Sequence, residues 1–282
     1  MTPEGPLDVH VHAGPSIFER KLDAIELAEE LTASSLGGAI LKSHFGSTVP
    51  HCRPASSCVP DVELYLSITL NEFVGGIRPP AVEAALATGV RLIWFPTFSA
   101  AAFTLEEITI PLFAMEGELT VFDGDGEVSD EVRQILSLVV DTEPSPAIGS
   151  EHLSSTEIFA VLNVIENTGL DIDYVVTHPD FDFVGLTDPD QHELAERGAF
   201  FEKCFLPVVT GDVSIETVVE HVREFGANQC VLSTDHGQPS YRSPPNAFER
   251  FVAELRESGL SAREVERSAV TTPRKMLGVN DE

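Results

Sequence analysis

Positive charge is scarce in this sequence: 17 Lys and Arg stand against 46 Asp and Glu, a formal net charge of -29 over 282 residues, and only four of the basic residues are Lys. Nucleic acid and anionic membrane surfaces would be repelled by such a chain, so neither is expected as a partner. Cysteine is scarce as well. The four present, Cys52, Cys58, Cys204 and Cys230, are too few for a disulfide framework at this length, and Cys204 and Cys230 lie in apolar runs that point to the core. No stretch reaches the roughly 18 apolar residues of a membrane span, and no basic region followed by an apolar run opens the sequence. A cytoplasmic protein is the expectation. The GxGxxG and Walker loops that bind nucleotides in open α/β sheets are also missing.

What is present is enough apolar matter for a large core, since 43% of residues are hydrophobic. The high charge therefore belongs to a folded surface and not to a disordered chain, which would need low hydrophobicity too. An acidic, Lys-poor surface of this kind suits a halophilic protein, because high ionic strength screens the self-repulsion.

Short β-rich apolar runs alternate with helical patterns along the chain, as in parallel βαβ units. The runs begin near Leu7, Gly37, Glu63, Arg91, Ala147, Tyr174, Ala199 and Cys230. That makes eight strands. The fourth interval is 56 residues where the others run from 25 to 31, so something is inserted there. Within it, LTVFDGDGEV (119–128) reads as a small hairpin around an Asp-Gly turn. Helices are expected at Leu22–Thr32, Ala81–Ala87, Asp130–Val140, Thr156–Thr168, Ile215–Phe225 and Phe248–Glu257, and Ala262–Leu277 would close the base. The fold class is accordingly α/β, a (β/α)8 TIM barrel with a hairpin insertion after strand 4, and residues 1–282 are expected to form a single domain.

In such a barrel the chemical groups come from the C-terminal ends of the strands. The histidines obey this. His10 and His12 end the first run, His44 the second, His152 the fifth and His178 the sixth, while the eighth ends in Asp235-His236; only His51, His192 and His221 lie elsewhere. A single buried imidazole is more often a satisfied core group than a ligand, but five strand ends that share one point to a site. His10 and His12, two apart on a strand, face the same side, a pair suited to chelation.

DVHVH (8–12), GSEH (149–152), VVTHP (175–179), STDHG (233–237) and TTPRKMLGV (271–279) resemble the amidohydrolase superfamily. HVHAGP (10–15) and LKSH (41–44) resemble in particular an uncharacterised amidohydrolase-like family within it. The resemblance runs over nearly the whole chain and is poor over 100–140. It implies a divalent cation, zinc first with iron or manganese as alternatives, held by His10, His12 and Asp235. His152 and His178 would be further ligands or groups that polarise the substrate, and Asp235 the proton acceptor. The chemistry would be attack of an activated water on an amide, lactone or similar bond of a small-molecule substrate.

One departure concerns the end of strand 4, where two-metal members carry a Lys carbamate or Glu and this chain reads WFPTF, with Thr97. Lys42 is the candidate compensation, as a carbamate ligand or as a cation for an anionic substrate; the alternative is a structural lysine paired with a barrel carboxylate such as Asp8 or Glu202. Asp8 is also the candidate second partner of the His10/His12 pair. VPHCRPASSCVP (49–60) reads as a Pro/Ser-rich active-site loop, because His51, Cys52 and Cys58 lack the spacing of a zinc knuckle. A phosphoesterase and a non-catalytic barrel with a structural metal are the competing functions. The sequence leaves substrate identity open and is compatible with a homo-oligomer.

Overall fold

The computed structural model describes residues 5–103 and 118–279. Its strands are β1 (Leu7–Val11), β2 (Gly38–Leu41), β3 (Glu63–Tyr65), β4 (Ser67–Thr69), β5 (Leu92–Trp94), β6 (Ala147–Gly149), β7 (Tyr174–Val176), β8 (Phe200–Cys204) and β9 (Cys230–Ser233). All pair in parallel and in chain order, as β1-β2-β3 and as β4 through β9. β3 and β4 are two halves of one strand, interrupted at Leu66. The interruption has a local cause: Thr48 takes the place of a strand neighbour, its backbone N–H donating to Ser67 O at 3.0 Å and its Oγ1 accepting from Ser67 N at 2.8 Å. Eight barrel strands result, each on a run expected from sequence.

The sheet closes between first and last strand. His12 N donates to His236 O at 2.8 Å, Asp235 N to His10 O at 3.0 Å, and Thr234 N to the Asp8 carboxylate at 3.0 Å. This seam requires a glycine at 237: its φ is +145°, and a Cβ there would lie 2.0 Å from His12 O. Gly149 is required in a different way, because a Cβ would stand 2.3 Å from the ring of the buried Trp94.

Helices α1 (Ala24–Thr32), α2 (Val49–Cys58), α3 (Pro79–Leu86), α4 (Asp130–Val140), α5 (Ser155–Thr168), α6 (Asp188–Glu196), α7 (Phe205–Thr210), α8 (Ile215–Phe225) and α9 (Pro244–Glu257) follow the strands. α4 and α8 have the expected bounds, and each begins on a serine, Ser129 or Ser214, that accepts a backbone N–H of the first turn. The main core lies between strands and helices, with Leu27, Ile135, Val161, Val218 and Phe251 among its buried members. A second cluster joins Leu7, Ile40, Leu92, Trp94, Val175 and Val231 across the strands; Met276 and Leu277 complete it. They come from the closing segment, α10 (Ala262–Glu266), a π turn at Arg267–Thr271 and α11 (Thr272–Met276), as expected for the base. In the insertion, Phe122 bridges Val128 antiparallel and Asp123 N donates to Glu127 O at 2.8 Å, so the hairpin is present in minimal form. Residues 104–117 of the same insertion lie outside the described residues.

One expectation is corrected. Residues 49–58 form helix α2, not a loop. Pro50 occupies the first turn, where no hydrogen bond is lost, and Cys52 and Ala55 are buried against the core. Its Arg53 donates to Thr88 O at 3.1 Å and its His51 contacts Pro15 O at 2.7 Å. The helix borders a cleft of about 880 Å³ separate from the strand-end histidines.

Candidate metal centre

His10, His12 and Asp235 meet at the seam. Both imidazoles turn Nε2 toward the same carboxylate oxygen, Asp235 Oδ1, at 3.2 Å and 3.1 Å. Their other nitrogens are already engaged: His10 Nδ1 lies 2.9 Å from Glu202 Oε1, and His12 Nδ1 lies 3.2 Å from the Lys42 carbonyl. A carbonyl only accepts, so the His12 proton resides on Nδ1 and its Nε2 carries a lone pair. Burial lowers the His12 pKa to about 3, which keeps that ring neutral. Asp235 is itself held well below the usual carboxylate range: burial raises it, but His10 and His12 outweigh that. Two electron-pair donors thus face each other at 3.1 Å with no proton between them. A cation resolves this, and donor atoms around tetrahedral zinc stand roughly 3.3 Å apart. His10, between Glu202 and Asp235, has its pKa raised, although burial and Lys42 act against it. These carboxylates attract positive charge of either kind, a proton or a metal. The donor set of two imidazoles and a carboxylate therefore fits a divalent ion.

The five candidate ligands do not form one cage. His152 and His178 group instead with Glu151, their ligand atoms within 4.8 Å of one another. The two groups adjoin, with the His10 and His178 rings 5.8 Å apart. His152 Nδ1, His178 Nδ1 and Glu151 Oε1 are buried without a hydrogen-bond partner. Glu151 was not a sequence candidate, and strand alternation would turn it away from its neighbour His152. The backbone removes that alternation: β6 ends at Gly149 and Glu151 has φ +52°. His178 (φ +31°) and Asp235 (φ +54°) share the left-handed conformation. Such strain, about 1–3 kcal/mol per residue, concentrates at functional sites.

Glu151 is also the partner of Lys42. Nζ donates to Oε2 at 2.5 Å and sits 5.1 Å from the Trp94 ring. Neither Asp8 nor Glu202 takes that place. Asp8 accepts from Thr234 Oγ1 at 2.6 Å and from His10 N at 3.2 Å, so it ties the seam backbone and does not orient an imidazole. Burial raises its pKa to about 7. Glu202 orients His10 and accepts from Ser233 Oγ at 2.7 Å. His44 stacks on His12 at 4.7 Å and contacts Thr97 Oγ1 at 3.1 Å. His236 turns outward, its Nδ1 2.9 Å from Thr234 O and its ring against Phe205.

Above these groups opens a pocket of about 300 Å³. Phe18, Phe98, Phe103, Phe181 and Phe183 wall it, and His12, Lys42, His152, His178 and Asp235 reach it from the strand ends. Arg20 lines it too, and burial lowers the Arg20 pKa to about 10, which leaves the group charged at neutral pH. An apolar wall over a few convergent polar groups is the usual form of a small-molecule site.

The model of a family described as "Family of unknown function (DUF6282)" matches residues 5–202, which span every candidate residue except Asp235. No curated protein matches the sequence. Among solved structures, an amidohydrolase from Pseudomonas aeruginosa is similar with a TM-score of 0.66 and 13% identity, over 97% of this chain and 95% of that one. A β-aspartyl dipeptidase from Fervidobacterium islandicum has a TM-score of 0.65 and 16% identity, over 96% of this chain and 72% of its own. A 2,6-dihydroxybenzoate decarboxylase from Rhizobium has a TM-score of 0.59 and 10% identity, over the full length of both chains. The likenesses show the fold alone. They join hydrolases to a decarboxylase, so the reaction has to be argued from the residues.

Proposed function

Since the chain belongs to DUF6282, a family of unknown function, we propose from its site that it is a metal-dependent hydrolase of a small amide, lactone or related bond. The observation that carries this reading is the convergence of His10 Nε2 and His12 Nε2 on Asp235 Oδ1, with both Nδ1 atoms engaged behind them. The reading takes the chain as one domain, with zinc as the ion and iron or manganese as alternatives for the same donors. When bound, the cation supplies Lewis acidity, which lowers the pKa of water toward about 7 and polarises the bond to be cleaved. Asp235 serves as the proton acceptor, its carboxylate being ionised and beside the reacting centre. Glu202 and the Lys42 carbonyl hold the imidazoles in the required tautomer. His152 and His178 orient or polarise the substrate, and the phenylalanine walls exclude competing water. Lys42 acts as an ammonium: a carbamate in its place would set an anion against Glu151.

The metal assignment has a direct test. Purified protein is expected to carry about one equivalent of divalent metal by elemental analysis, and the double variant His10→Ala/His12→Ala to carry none. Full occupancy in the double variant would sink the assignment.

The wider reading includes a halophilic, cytoplasmic setting. No helix of the described residues is long and apolar enough to cross a membrane. With a net charge of -29, the unfolding midpoint should rise as salt is raised to molar concentration, where the screening length falls to about 3 Å. A thermal scan series from low to 2 M KCl (roughly the range over which that screening develops) checks this. A flat or falling midpoint would contradict it.

A further inference from the structure

Two cations line the pocket, Lys42 and Arg20, and among the described residues only Lys42 has an ion-pair partner. Lys42 is committed to Glu151 at 2.5 Å. Arg20 makes no hydrogen bond or ion pair with any described residue, and its Nε is buried without a partner, while the guanidinium lies 5.7 Å from the Phe18 ring. Asp235, across the pocket, acts on it through its charge alone, so in a chain with 46 carboxylates and 17 basic side chains this arginine has no hydrogen-bonded carboxylate among the described residues. Glu19 also lines the pocket, but it is exposed and forms no ion pair with Arg20. The arginine is nonetheless held in place. Its neighbour Lys21 donates its backbone N–H to Gly237 O at 2.8 Å and its Nζ to Pro239 O at 2.9 Å, fastening this loop over the turn that carries Asp235. A buried donor without an acceptor is unfavourable until a ligand provides one.

We propose that Arg20 is the specificity residue of the pocket and that the substrate is a small monocarboxylate with an apolar body. This rests on the pocket being the substrate site of the hydrolase described above. The guanidinium fork matches a carboxylate with two parallel hydrogen bonds. A dianion such as a phosphomonoester is disfavoured, because Asp235, Glu151 and Glu202 already place negative charge around the floor. The five phenylalanines accommodate the apolar body, and about 300 Å³ is at the small end for such sites.

The test compares benzoate with its neutral isostere benzamide by calorimetric titration of the metal-loaded protein. Wild type should bind benzoate at millimolar concentration and benzamide at least about 10-fold more weakly, the least expected of a hydrogen bond to a charged group. Arg20→Gln should weaken benzoate by about 10- to 100-fold on the same ground. Arg20→Lys should retain part of the preference. Metal content and unfolding midpoint of both variants should match wild type, which separates a lost contact from a damaged fold. The proposal is overturned if benzoate does not bind, if benzamide binds as well, or if Arg20→Gln binds benzoate within twofold of wild type. Arg20-dependent benzoate binding in a protein that hydrolyses no carboxylate-bearing ester, lactone or amide would leave the anion site standing and remove the hydrolase reading. Hydrolysis with no preference for the carboxylate would do the reverse.

Discussion

Replacing Asp235 by Asn is expected to lower turnover by about 10²–10⁴, the usual cost of removing a general base. The substitution suits this position. Asp235 has φ +54°, and Asn adopts the left-handed conformation readily, so the strained turn after β9 should survive. What changes is the charge that His10 and His12 converge on, and with it two separable functions. Metal content and turnover should therefore be measured on the same sample. Lost turnover with retained metal identifies the carboxylate as the base; loss of both makes it chiefly a ligand. His178→Ala is the contrast, since a polarising residue should lower turnover without emptying the centre. Unimpaired hydrolysis by metal-loaded Asp235→Asn would send the proton elsewhere, with Lys42, which reaches the same pocket, next in line. His236 is not one, because its ring faces Phe205 away from the pocket.

The largest effect on stability is expected at Lys42. Lys42→Met removes the lysine bonded to the fully buried Glu151 and leaves that carboxylate, among the described residues, with only His178 Nε2 at 3.6 Å. Leaving one member of a buried ion pair uncompensated costs about 3–5 kcal/mol. For a chain of this size that corresponds to roughly 5–8 °C in the unfolding midpoint. The signature of the mechanism is recovery: Lys42→Met/Glu151→Gln leaves no lone charge and should regain most of the lost stability. Calorimetry of both variants decides the matter. A single variant that melts within about 1 °C of wild type, well below the shift expected for a broken buried pair, would mean the pair is not buried as described.

The barrel was legible because its strands, apart from the partly buried Glu63–Tyr65, are buried on both faces and so read as short apolar runs, five of which end in a histidine. α4 and α8 were legible through their serine caps and regular apolar spacing. α2 was hidden by its composition, since two prolines and two serines in VPHCRPASSC suggest a loop unless one knows that Cys52 and Ala55 have a core to meet. The site was legible as a set of donors but not as a geometry. Glu151 was missed because the alternation rule fails where φ turns positive, and nothing in a sequence marks that change at a glutamate. The partner of Lys42 lies 109 residues away, and the choice among Asp8, Glu151 and Glu202 depends on register around the closed sheet. The same holds for the division of the ligands into two groups.

The seam between β1 and β9 has a consequence for how the chain assembles. His12 and Asp235 are separated by 223 residues, so the contact between them closes nearly the whole polypeptide into a ring. During synthesis the N-terminal strand emerges with both imidazoles in place and must wait for almost everything else before its partner arrives. Contacts this distant are slow to form, because the chain entropy lost on joining the ends precedes any reward. The proposed ion, gripped by both ends, would bind only once they have met, so that its binding free energy becomes folding free energy. On the metal assignment proposed above, the last step of assembly is also the first moment at which all three donors stand together.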